Sequence, residues 1–146
     1  MNKSLVCVDA SFVIKLVIDD PLSEHAEALW SGWLSKGIVM VAPALMPFEV
    51  TAALRKYVHH HLISEEAAQQ ALHAALGMGI KLENPPGLHS RALAMAGQFG
   101  WMVTYDAHYL ALFEHLECQL WTSDRRLVNS VRLTFPEIHW LGEVEI

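Results

Sequence analysis

Short apolar runs alternate with helical segments along the whole chain, and this alternation limits the folds open to it. The runs are LVCV (5–8), IVMVA (38–42), IKLE (80–83), CQLWT (118–122) and EIHWL (137–141). Helical patterning lies between them, and the last run reads as a final strand or an extended tail. Apolar strands alternating with helices predict an α/β fold, a parallel sheet covered on both faces. In such sheets ligands bind beyond the carboxyl ends of the strands. A length of 146 residues suits one domain spanning 1–146, built on one core. The chain has no internal repeat and no low-complexity segment.

The helices can be placed from their caps and breakers. Ser11 is expected to cap FVIKLVID. Pro21 breaks the chain, and SEHAEALWSGWLSK starts at Ser23 and stops at Gly37. Pro47 opens a helix that runs towards His59. Ser64 starts SEEAAQQALHAALG, and Pro85-Pro86 restarts the chain before SRALAMAGQFG. Thr104 is expected to cap YDAHYLALFEHL, and RRLVNSVRL is helical.

Composition narrows the partners. The chain is 53% hydrophobic and 18% charged, against averages of about 45–50% and about 25%. The apolar excess implies either a buried interface, in a homo-oligomer or with an obligate partner, or an unusually large core. Ten basic residues face 16 acidic ones, a net charge of −6. A protein that grips nucleic acid by its phosphates is normally basic. Nucleic-acid chemistry would therefore be local, with a bound metal reversing the charge of an acidic pocket. Cys7 and Cys118 sit in apolar runs outside any CxxC pair, so they read as buried reduced thiols of a cytoplasmic protein. No signal peptide is read at the start, and no stretch reaches the roughly 18 apolar residues of a membrane span.

Four acids fall where a strand ends or a helix begins: Asp9, Glu49, Asp106 and Asp124. Singly, each has an architectural explanation, because acids in a first helical turn complement the helix dipole. Asp9 fits that explanation least, since it ends an apolar strand close to the core, where a charge needs a partner. Gathered together without Lys or Arg, carboxylates raise each other's pKa. A hard cation such as Mg²⁺, with oxygen ligands and retained waters, relieves the repulsion. Ser11 and Thr122 supply hydroxyls beside the acids, while Arg125 and Arg126 flank them. His59-His60-His61 reads as a solvated helix end, because adjacent helical side chains diverge. His115 and Cys118 lack a companion pair for zinc.

The motifs VDASFVIKL, PFEVTAALRK and TYDAHYLALFEHLECQLWTSDRRLVNSV, in that order, resemble PIN-domain ribonucleases, especially VapC-type toxins of bacterial toxin–antitoxin pairs. The resemblance runs from about Val8 to Val131. It implies a PIN-like three-layer fold with a five-stranded parallel sheet, a Mg²⁺ or Mn²⁺ site, and endonucleolytic cleavage of RNA, tRNA among the candidates. Asp9, Glu49 and Asp106 match the three most regular acids of that family, Asp124 the more variable fourth, and Ser11 and Thr122 its small hydroxyl positions. Asp9 and Asp106 are expected to hold the metal most directly, with Glu49 and Asp124 acting through water or on a second ion. A VapB-like antitoxin and a homodimer are the implied partners. His108 and Phe113 depart from the small or aliphatic residues usual in that helix.

Other classes stay open. A solitary or non-catalytic PIN-like binding module would usually lack an acid, and all four are present. A receiver domain or phosphatase needs a strand-end Lys beside its nucleophilic Asp, which this chain lacks. A nuclease acting on DNA is compatible with the same residues.

Overall fold

The computed structural model describes residues 1–145. Five strands, β1 (Leu5–Val8), β2 (Val39–Pro43), β3 (Lys81–Glu83), β4 (Gln119–Thr122) and β5 (Ile138–Trp140), pair in the order β3-β2-β1-β4-β5. Every neighbouring pair is parallel. The expected parallel sheet is therefore present, and EIHWL contributes its edge strand rather than a tail. The helices are α1 (Ala10–Val17), α2 (Ser23–Ser35), α3 (Met46–His59), α4 (Glu65–Leu76), α5 (Leu88–Gln98), α6 (Tyr105–Leu116) and α7 (Arg125–Val131).

This strand order has a functional consequence. The chain steps outward from β1 to β2 and β3, then crosses back to β4 on the other side of β1. Right-handed crossovers put the helices of these two halves on opposite faces. The reversal leaves a crevice at the carboxyl ends of β1 and β4, the topological switch point of the sheet. Central β1 is covered on both faces, and Val6, Cys7 and Val8 are all buried. That explains its unbroken apolar run, where a half-exposed strand would alternate.

Local chemistry sets the helix starts, with some departures from expectation. Asp9, not Ser11, caps α1: its carboxylate accepts from the Phe12 amide at 2.9 Å, and Ser11 lies inside the first turn. Ser64 caps α4 as expected, accepting from Ala67 N at 3.0 Å. Thr104 occupies the cap position of α6, but its hydroxyl makes no cap bond. Its carbonyl instead accepts from the Nδ1–H of His108 at 2.8 Å, and His108 Nε2 meets Nδ1 of His89 on α5 at 2.9 Å. Helix α5 begins two residues earlier than SRALAMAGQFG suggests, because Gly87 takes φ +83° after the proline pair and turns the chain into the helix.

The two departures in α6 are thus absorbed by packing. His108 ties α6 to α5, and buried Phe113 meets Phe135 edge-on at 5.4 Å. Trp33 is buried and stacks on Phe12 at 5.4 Å. Cys7 and Cys118 are buried free thiols, and burial raises the pKa of both, Cys118 to about 11. The apolar excess goes only partly to the core: Phe48, Met102, Val103 and Tyr105 are all exposed. Among the described residues, no helix is long and apolar enough to cross a membrane.

Leu120 is fully buried in β4, beside the crevice strand. Leu120→Ala should cost about 2–5 kcal/mol through lost transfer energy and the residual cavity. A urea melt read by circular dichroism checks this through its midpoint.

Candidate active site

The β1–β4 register builds the centre of the site. Val8 pairs with Trp121, which brings the next positions, Asp9 and Thr122, level with each other. Both are buried. Thr122 Oγ1 donates to Asp9 Oδ2 at 2.5 Å. Ser11 Oγ donates to Asp9 Oδ1 at 2.7 Å and accepts from the Ser123 amide at 3.1 Å. The Phe12 amide also donates to Oδ1. One carboxylate therefore joins β1, α1 and β4. Burial pushes its pKa up to about 6; the hydrogen bonds from Thr122, Ser11 and Phe12 oppose that rise, and the charge of Asp106 adds to it.

Glu49 comes from the first turn of α3, which starts just beyond β2. Burial raises its pKa to about 6, the phenol of Tyr109 partly offsets this, and Asp9 and Asp106 add repulsion. Its Oε1 is buried without a well-formed hydrogen bond, and so is the hydroxyl of Tyr109. Burial, then the charges of Glu49 and Asp9, push the Tyr109 phenol far above its usual range, so it stays protonated. Tyr109 was not among the sequence candidates. Its signal was spacing: three residues after Asp106, it shares that acid's side of α6 and reaches the same crevice.

Asp106, in the first turn of α6, is open to solvent as a residue. Protein packed around its carboxyl still raises its pKa, and Asp124 raises it further. Asp124 caps α7, accepting from the amides of Arg126 at 3.0 Å and Leu127 at 3.2 Å. Its own amide donates to Thr122 Oγ1 at 3.0 Å, which links the fourth acid to the Asp9 network. None of the four acids forms an ion pair among the described residues. Arg125 and Arg126 likewise pair with no carboxylate there, and the Arg125 guanidinium lies 4.8 Å from the centroid of the Trp140 ring.

The acids feel one another's charge, yet among the described residues no three carboxylate, imidazole or thiol side chains stand close enough to hold a single ion between them. The donor chemistry still suits a hard cation, with oxygen atoms only, no counter-ion, and one buried carboxylate oxygen left without a partner. Asp9 and Glu49 form the inner pair of this arrangement, and Asp106 and Asp124 the more solvated pair.

The raised pKa of Asp9 carries a stability cost with a definite sign. The folded state binds its proton up to about pH 6, the unfolded state only up to its ordinary 3.8. The folded form thus holds more protons across this window, and stability falls as pH rises through it. Asp9→Asn should therefore raise stability at pH 7.5 by up to about 3 kcal/mol, and by much less at pH 4. Thermal melts of the two proteins at both pH values test this; an equal difference at both would remove Asp9 as its source.

The chain is 36% identical over 112 residues to Ribonuclease VapC1 of Mycobacterium tuberculosis, in two strains, covering 76% of this chain and 82% of that one. Its fold resembles PAE2754 from Pyrobaculum aerophilum, with TM-score 0.64, 26% identity, and 86% and 83% of the two chains covered. It also resembles M. tuberculosis VapC20, a toxin that cleaves the sarcin–ricin loop, with TM-score 0.65, 20% identity, and 86% and 94% covered. The model of the PIN domain matches residues 6–131, which take in all four acids and both hydroxyls, and the chain belongs to the PIN-domain family.

Proposed function

We propose that this chain is a metal-dependent endoribonuclease, the toxin of a VapBC-type toxin–antitoxin pair. The observation that carries the reading is Asp9, a buried carboxylate held by Thr122, Ser11 and the Phe12 amide at the sheet's switch point. Glu49 faces the same crevice with an unpartnered oxygen. Neither acid has a basic partner among the described residues, so their charge is left for an outside cation to meet. The ribonuclease activity of the VapC1 relative at 36% identity supports the same reading.

Asp9 and Asp106 would hold a Mg²⁺ ion most directly, or Mn²⁺ in its place, with Glu49 and Asp124 reached through water or a second ion. Held there, such an ion would supply Lewis-acid stabilisation of the phosphate and would lower the pKa of water. The protein's own groups prepare the ground. Thr122, Ser11 and the Phe12 amide fix both oxygens of Asp9 and leave one lone pair of Oδ2 without a donor. The three hydrogen bonds also favour the ionised form, partly offsetting burial. The protonated Tyr109 phenol lies beside Glu49 and favours its ionised form. In this reading water is the nucleophile, and no side chain becomes covalently attached. A cytoplasmic setting fits the two buried thiols. A VapB-like antitoxin with a basic side chain would meet the acids' need for a counter-charge, and a homodimer would cover some of the exposed apolar residues.

Purified protein should cut one or a few RNAs from a structured panel, tRNAs and ribosomal RNA fragments included, with Mg²⁺ or Mn²⁺ and not with EDTA. Asp9→Asn should lower the rate by at least about 100-fold. Cutting by Asp9→Asn at the wild-type rate would sink the assignment. Below about pH 6 the rate should fall as Asp9 and Glu49 take up protons. A single-turnover pH profile reads this; a flat profile from pH 5 to 8 would contradict it.

A further inference from the structure

A groove of 670 Å³ runs between α1 and α3 and opens into the carboxylate crevice. Ser11 and Glu49 form its inner end, so it is continuous with the site. Ala52 and Ala53 floor it with small side chains. Phe48 and Tyr105 stand on its rim, 78% and 59% exposed. Among the described residues neither ring packs against another aromatic ring, whereas the rings of Phe12, Phe99, Phe113, Phe135 and four of the five tryptophans all do so or carry Arg125. Lys56 lines the groove two helical turns beyond Glu49, and no carboxylate pairs with it among the described residues.

We propose that this groove is a subsite for one unpaired nucleobase of the RNA, next to the scissile phosphate and stacked on Phe48 and Tyr105. The proposal rests on the ribonuclease reading and names how its substrate is gripped. Two exposed aromatic faces beside a phosphodiester-cutting site match single-stranded RNA, whose splayed bases stack on Phe and Tyr. The groove's size lies within the roughly 300–1,000 Å³ of small-ligand clefts. Charge supports the same occupant. With a net charge of −6 the protein repels a polyanion overall, and stacking adds affinity without adding charge. The free ammonium of Lys56, at the far end, suits a phosphate flanking the stacked base. An apolar side chain of a protein partner would gain nothing from that lysine.

The test is a set of short RNAs that the protein cuts, each with one base replaced by an abasic sugar on either side of the cleaved bond. Wild-type kcat/KM should drop about tenfold, mainly through KM, at one position adjoining the bond. Phe48→Ala should lose a similar factor on intact RNA, and the abasic change should then cost it little more. Phe48→Trp should restore most of the loss. Phe48 is exposed, so the melting temperature should barely move, which separates this effect from unfolding.

Equal abasic penalties in wild type and Phe48→Ala at every position would overturn the subsite. Wild-type cutting rates for Phe48→Ala would do the same. Should the protein cut no RNA at all, the nuclease reading falls, and the subsite is judged separately by fluorescence anisotropy. Single-stranded RNA binding that weakens both with the abasic change and with Phe48→Ala would keep it. No binding, or binding indifferent to Phe48, would overturn it and leave the groove to a protein partner.

Discussion

The hydrogen bond from Thr122 to Asp9 closes the seam between β1 and β4, and the site is arranged around it. A carboxylate at the end of a buried strand costs several kcal/mol unless its oxygens are met by donors. Here three donors come from two elements: Thr122 at the end of β4, and the Ser11 hydroxyl and Phe12 amide in the first turn of α1. The parallel register fixes where Thr122 falls, so the geometry of the acid follows from the geometry of the sheet. The balance leaves Asp9 with a pKa near 6, ionised at neutral pH but only by a modest margin.

From this follows an electrostatic asymmetry. Five of the chain's basic side chains are held in ion pairs, Lys15 with Asp20 and Arg91 with Glu114 among them. None of these involves the four acids of the crevice. The negative potential there has no internal remedy, so the neutralising charge has to arrive from outside. A metal ion meets that need, and so does a basic side chain of a partner. The two compete for one electrostatic demand, which gives inhibition of such an enzyme a physical route: a partner need only supply the charge without the waters and open positions of a metal.

The fold and the place of Asp9 at a strand end could be read from the chain because their signals are local. Apolar runs of four or five residues, broken by capped helices, predict a parallel sheet, and the carboxyl ends of its strands predict the edge on which Asp9 and Asp124 lie. What could not be read depends on long-range packing. Ser11 looked like a cap because it is a serine before an apolar run. Asp9 takes the role because its extended backbone aims the carboxylate at Phe12 N, and Ser11 turns instead to Asp9 and Ser123 across 112 residues of chain. Tyr109 is buried in the core, and its hydroxyl ends at Glu49, a contact between α6 and α3 that no single-helix pattern encodes. The groove was hidden for the same reason, since Phe48 and Tyr105 lie on different helices far apart in sequence.

The same features make stability and occupancy inseparable. Asp9 and Glu49 are both held with raised pKa values, and Glu49 Oε1 and the Tyr109 hydroxyl are buried without good partners. Each is a cost carried by the folded state alone, because the unfolded chain hydrates all of these groups. Anything that binds the ionised crevice stabilises the fold in proportion to its affinity and concentration. The protein with neither metal nor partner is then its least stable form. The core of β1, β4 and α6 therefore has to hold the site together without help from any ligand. Full burial of Leu120, Val8 and Leu110 around the seam supplies that reserve.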